Sequence, residues 1–124
     1  MKKYTLSKKF TFEAAHKLPF HDGACQRLHG HSFVGWVECE SDTLVESGPK
    51  QGMVIDYHEI KKVLQPLVTD YLDHQFLNET TKLESPTSEN LAKWIYDRLK
   101  PELPMLTKVT VEETCTSKCT YCGC

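Results

Sequence analysis

A thiol and three imidazoles stand close together early in the chain: the run Cys25-Gln26-Arg27-Leu28-His29-Gly30-His31 is preceded by His16, nine residues before the cysteine. Imidazole nitrogen and thiolate sulfur are common zinc ligands, and both groups exchange protons near neutral pH. His29 and His31 are two residues apart, so in an extended strand they project to the same side. His16 closes another run of the same period, in which Tyr4, Leu6, Phe10, Phe12 and Ala14 share its parity and Lys9, Thr11 and Glu13 lie between them. If these runs are antiparallel neighbours, three ring nitrogens converge and leave a fourth position open, as catalytic zinc requires. The alternative makes His16 a satisfied core histidine and His-Gly-His a strand end. Three histidines on compatible faces beside a cysteine favour the metal.

The elements that must position these groups can be read onward. A second strand is expected from about His31 to Glu40, with Phe33, Val37 and Cys39 continuing the histidine face, followed by a loop over Ser41 to Gly52. Asp56 is a good N-cap, with Glu59 three residues later, for a helix carrying Tyr57, Ile60, Leu64, Leu67, Val68 and Tyr71 on one stripe. Pro66 should kink or break it, because proline lacks the donor for the preceding turn. The helical period is lost at Asp73-His74. Another helix begins around Ser85 to Glu89, with Leu91, Trp94, Ile95 and Leu99 on its apolar face, and ends at Pro101. A last strand over Lys108 to Glu113 alternates Val109 and Val111 with polar residues, which puts Glu113 on the buried face. A carboxylate there needs a partner and is a candidate ligand anchor.

The order strand, strand, helix, helix, strand, with room for a short strand in the tail, gives an α+β fold: an antiparallel sheet with two helices on one face. A small sheet has exposed edges, which subunits joining edge to edge into a barrel would cover. The 124 residues fit a single domain, 1–124, with a cysteine-rich C-terminal tail. A net charge of −2 and the absence of a basic cluster interleaved with aromatics argue against nucleic acid. The charged start, Met1 to Lys9, leads into no apolar signal core, and no run of about eighteen apolar residues occurs, so no membrane span and a cytoplasmic location are expected. The six cysteines are then read as reduced thiols, ligands or a nucleophile.

Phe12-Glu13-Ala14-Ala15-His16, Cys25-x-x-x-His29-Gly30-His31, Asp73-His74, Pro86-Thr87-Ser88-Glu89 and Glu113-Thr114-Cys115-Thr116 occur in that order. Together they resemble the 6-pyruvoyl-tetrahydropterin synthase and 6-carboxy-tetrahydropterin synthase family of the tunnelling fold, and the His31-Ser32-Phe33 continuation resembles its bacterial carboxy branch, which serves queuosine and other deazapurine pathways. The resemblance implies a zinc lyase, with Zn2+ held by His16, His29 and His31. Its substrate would be 7,8-dihydroneopterin triphosphate, and its products 6-carboxy-5,6,7,8-tetrahydropterin, acetaldehyde and triphosphate. It further implies Cys25 as base, Asp73-His74 as proton relay, Glu113 gripping the pterin's amino-pyrimidinone edge, and Thr87 and Ser88 lining the pocket. Arg27 and nearby lysines would meet the triphosphate. A homohexamer of two trimers, with sites shared between subunits, is implied as well.

Two readings stay open beside this one. The pyruvoyl branch eliminates triphosphate but keeps the side-chain carbons, and a non-catalytic zinc or thiol module would bind metal without pterin turnover. The tail Cys115-x3-Cys119-x2-Cys122-x-Cys124 has the Cys-x3-Cys-x2-Cys spacing of radical S-adenosylmethionine clusters, but those lie near the start of a much larger barrel, and that reading is rejected. A second metal on the tail thiolates is an alternative to a reduced, partly mobile tail.

Overall fold

The computed structural model describes residues 2–123. Strand β1 (Tyr4–His16) and strand β2 (His29–Ser41) form a long antiparallel pair. Helix α1 (Tyr57–Leu67), the two-residue strand β3 (Gln75–Phe76), the single turn α2 (Leu77–Thr80) and helix α3 (Ser88–Leu99) follow. Strands β4 (Leu106–Thr114) and β5 (Ser117–Cys122) close the chain as a hairpin. The sheet order is β3-β1-β2-β4-β5, antiparallel except for the short β1–β3 pairing.

Period-two alternation builds this sheet. Phe10, Phe12 and Ala14 of β1 are buried while Lys9, Thr11 and Glu13 are exposed; Phe33, Val37 and Cys39 of β2 and Val109 and Val111 of β4 complete the covered face. Against it pack Ile60, Leu64 and Leu67 of α1 and Leu91, Ala92, Ile95 and Leu99 of α3, so both long helices cover one face, as expected from the sequence. Phe12 pairs across the ladder with Phe33, their rings 4.8 Å apart, and directly below the histidines this stack forms a rigid floor.

Three differences from the sequence reading have physical causes. Pro66 does not break α1: it sits in the last turn, and the chain continues into a wider π turn, Val68–Leu72, closed by the Asp73 N–H donating to the Val68 carbonyl at 2.8 Å. One missing donor near a helix end is tolerated when the next turn rearranges its bonds. The tail is an ordered strand rather than a loose segment, because β5 pairs with β4 along its length, Thr110 and Thr120 share a hydroxyl hydrogen bond of 2.7 Å, and Tyr121 packs on Tyr96. Cys25, Cys39, Cys115 and Cys119 are free thiols, whereas Cys122 is disulfide-bonded, which departs from an all-reduced set. Cys124 lies outside the described residues.

Gly35 lies opposite Phe10, and a Cβ at Gly35 would come within 2.1 Å of the Phe10 ring. That ring occupies the space a side chain would need. Gly35→Ala should therefore destabilise the fold by about 1–3 kcal/mol through overpacking, read as a lowered urea midpoint. An unchanged midpoint would show that Phe10 moves aside freely.

Candidate metal centre and active site

The β1–β2 register places His16 opposite His29 and Ala14 opposite His31, so all three imidazoles emerge on the covered face at one end of the pair. The ring centroids are 4.5 Å apart for His16 and His29, 5.1 Å for His16 and His31, and 4.9 Å for His29 and His31. Phe33 lies edge-on beneath His16 and His31 and excludes water from below. His16 is fully buried; His29 and His31 are partly so.

Backbone carbonyls set the ring orientations. His16 Nδ1 donates to the Pro86 carbonyl at 2.8 Å and His29 Nδ1 donates to the Arg27 carbonyl at 2.7 Å. A carbonyl only accepts, so the proton must sit on Nδ1, which leaves the Nε2 lone pair facing inward. The Nε2 atoms of His16, His29 and His31 are all buried without a hydrogen-bond partner. A buried unpartnered polar atom costs about 1–3 kcal/mol. Three of them turned toward one point fit a shared cation, which would satisfy all three at once.

Glu113 of β4 joins them. Its Oε1 lies 2.8 Å from His31 Nε2 and 3.7 Å from His16 Nε2, and the donor atoms of His16, His29, His31 and Glu113 all lie within 4.8 Å of one another. The polar contact from the His16 ring holds the Glu113 carboxyl below its ordinary range, against the opposing effect of burial and with help from the His31 charge. Burial lowers the His31 pKa and outweighs the attraction of Glu113. Burial thus favours the neutral ring at His31, the form in which imidazole binds a metal.

The remaining sequence candidates are distributed around this cluster. Cys25 lies in a short 3-10 turn, Ala24–Gln26, before β2; its thiol is partly buried and does not belong to the four-residue group. Asp73 bridges two elements: its Oδ1 accepts the Glu13 N–H at 2.9 Å and its Oδ2 lies 3.0 Å from His74 Nδ1. His74 adopts a left-handed backbone, φ 60°, held by its N–H donating to the Glu13 carbonyl. Its exposed ring borders an open cavity of about 570 Å3 lined also by Glu13, Ser32 and His31. Thr87 caps α3, its hydroxyl accepting the Asn90 N–H at 3.1 Å, while the Ser88 hydroxyl donates to Glu89. The Arg27 side chain is exposed. Among the described residues, Cys115, Cys119 and Cys122 form no second metal-binding group.

Two contributions were not anticipated from the sequence. The Pro86 carbonyl aims His16, although the Pro-Thr-Ser-Glu run had drawn attention for its hydroxyls. Asn78 clamps the chain just past His16, accepting the Lys17 N–H at 3.0 Å and donating to the Lys17 carbonyl at 2.9 Å. Backbone acceptors carry no residue-type signal, so only the fold reveals them.

This is a tunnelling fold with a histidine-rich site at one end of its longest strand pair. The chain belongs to the 6-pyruvoyl tetrahydropterin synthase family, whose profile matches residues 5–124. It is 50% identical over 119 residues to a 6-carboxy-5,6,7,8-tetrahydropterin synthase of Synechocystis, covering 95% of this chain and 92% of that one. It is 35% identical over 139 residues to a Haemophilus influenzae protein of the same name, covering 95% and 98%. Its fold matches the Caenorhabditis elegans 6-pyruvoyl tetrahydropterin synthase with a TM-score of 0.82 at 32% identity, over 98% of this chain and 96% of that one.

Asp73 provides a pH test of the bridge. The Glu13 N–H, and after it the His74 ring, hold its carboxyl below the ordinary 3.8. A depressed folded pKa contributes stability that is present above 3.8 and lost as pH falls through the lower folded value. The Tm advantage of the wild type over Asp73→Asn should therefore be largest above about pH 5 and shrink steadily toward about pH 2. A pH-independent difference would mean that ionised Asp73 contributes nothing to the bridge.

Proposed function

We propose that the protein is a zinc-dependent carbon–carbon lyase that converts 7,8-dihydroneopterin triphosphate to 6-carboxy-5,6,7,8-tetrahydropterin, acetaldehyde and triphosphate, within queuosine or related 7-deazapurine synthesis in the cytoplasm. The observation that carries this reading is the set of three buried, unpartnered Nε2 atoms converging beside Glu113. The family and the two relatives named for the carboxy product support the choice of substrate.

His16, His29 and His31 would hold Zn2+, which supplies a Lewis acid that makes substrate side-chain hydroxyls more acidic. The protein's own groups do the rest. Glu113 accepts N–H donors of the pterin's amino-pyrimidinone edge, and Thr87 and Ser88 line the pocket. Thr87 does so while capping α3, since a cap uses one lone pair of its hydroxyl. Cys25 takes a proton from the substrate. His74, aimed by Asp73, returns or relays protons, and Arg27 with nearby lysines neutralises the triphosphate.

Cys25 and His74 are not among the four grouped donors, and the sheet's unpaired edges support a site completed between subunits. The free edge of β5 and, apart from Ala14 and Ala15, the edge of β1 facing away from β2 have no strand partner among the described residues. Edge-to-edge pairing into a closed ring, built as a hexamer of two trimers, would satisfy those backbone groups and bring neighbouring proton donors to each metal.

Incubation with dihydroneopterin triphosphate should release acetaldehyde and the 6-carboxy product in equal amounts. His29→Ala should lose both zinc and activity, whereas Cys25→Ala should retain zinc and lower kcat by about 10²- to 10⁴-fold. Triphosphate release without acetaldehyde would assign the pyruvoyl reaction instead. Metal binding without any pterin turnover would make the protein a zinc module.

A further inference from the structure

We propose that in the substrate-free protein Glu113 is itself the fourth ligand of the metal held by His16, His29 and His31, and that an arriving pterin draws it away. The inference rests on the three-histidine zinc site proposed above and adds to it a closed resting state.

The donor geometry is that of a four-coordinate shell. For zinc bonds of about 2.0–2.1 Å, the edges of a tetrahedron are about 3.3–3.4 Å long. Glu113 Oε1 stands 2.8 Å from His31 Nε2 and 3.7 Å from His16 Nε2, values on either side of that edge, and with the three histidines it forms a group of four donors within 4.8 Å of each other. At 2.8 Å the His31 contact is close, yet it lacks the in-line geometry of a hydrogen bond. A proton on one ring would serve a single nitrogen, whereas a metal ion at the shared centre would serve all three Nε2 atoms and the carboxylate together.

The backbone allows the carboxylate to leave. On the β5 side, Glu112 pairs with Lys118 and Thr114 with Ser117, and the register shifts between them, so Glu113 is left out of the ladder. A residue at such an irregularity is re-aimed without breaking neighbouring pairs. When the pterin's N–H donors offer Glu113 a better-matched partner, its release opens one position on the metal for a substrate hydroxyl. No bond to carbon changes in this exchange; one metal–oxygen bond replaces another, and the carboxylate's negative charge is met by the pterin's donors. The arrangement couples recognition of the pterin edge to exposure of the metal.

The test uses the metal-loaded oligomer with Zn2+, or Co2+ as a spectroscopic substitute, and compares wild type with Glu113→Gln and Glu113→Asp, whose folding is checked by circular dichroism. Chelator competition should show the zinc dissociation constant rising by at least about 10-fold in both variants, the low end of the effect produced when a ligating histidine loses its outer partner. Unsubstituted pterin, which has the amino-pyrimidinone edge but no side-chain hydroxyls, should shift the cobalt spectrum of the wild type toward that of Glu113→Gln and leave the variant unchanged. Wild-type zinc affinity and cobalt spectrum in both variants would overturn the fourth-ligand assignment. A wild-type spectrum insensitive to bound pterin would overturn the exchange. Failure of the wild type to take up metal, or full retention by His29→Ala, would instead remove the three-histidine site on which the proposal stands.

Discussion

The pairing of His16 with His29 across β1 and β2 fixes two imidazoles at one rung of the ladder, and two backbone carbonyls decide which way those rings face. Because the Pro86 and Arg27 carbonyls each accept a hydrogen bond from Nδ1–H, the Nε2 lone pairs of His16 and His29 face one another's space. Strand parity then adds His31 to the same face. The ladder, the Phe12–Phe33 stack and the Asn78 clamp on Lys17 hold this end of the strand pair in place. Preorganisation of this kind would allow one ion to satisfy three buried acceptors at once.

The rest of the molecule can be understood as support for that end of the strand pair. α1 and α3 cover the apolar face and seal it from water, and the start of α3 doubles as the anchor for His16, since Pro86 directly precedes its cap, Thr87. Asp73 and His74 sit beside β1, tied to Glu13 by the Asp73 carboxylate and the His74 N–H, and the strand's exposed edge runs away from them. The outer edge of β1 and the free edge of β5 leave backbone groups that strand pairing between subunits would satisfy.

The sheet and its covered face were legible because period-two alternation is strong in β1, β2 and β4, and the histidine cluster was legible because its residues share that parity. Glu113 was singled out as a carboxylate on an apolar face, but its approach to His31 depends on how β4 docks beside β2 and on the register shift at Glu112 and Thr114, neither of which a pattern of residue types encodes. β3 and α2 were not foreseen, since two to four residues are too few to show a period. The course of the chain at Pro66 followed tertiary packing: Leu67, Val68 and Leu72 are all buried, and keeping them in the core favours a widened turn over a break. The tail, read chiefly as a cysteine spacing, is held by pairing along β4 and by Tyr121 against Tyr96.

The most direct test of the central claim is anomalous diffraction at the zinc edge from crystals of the zinc-loaded protein. The account predicts one strong peak per chain, about 2.0–2.1 Å from the Nε2 atoms of His16, His29 and His31, with the Nδ1 atoms of His16 and His29 still bonded to Pro86 and Arg27. A peak at the tail cysteines alone, or rings rotated so that Nδ1 faces the ion, would contradict it.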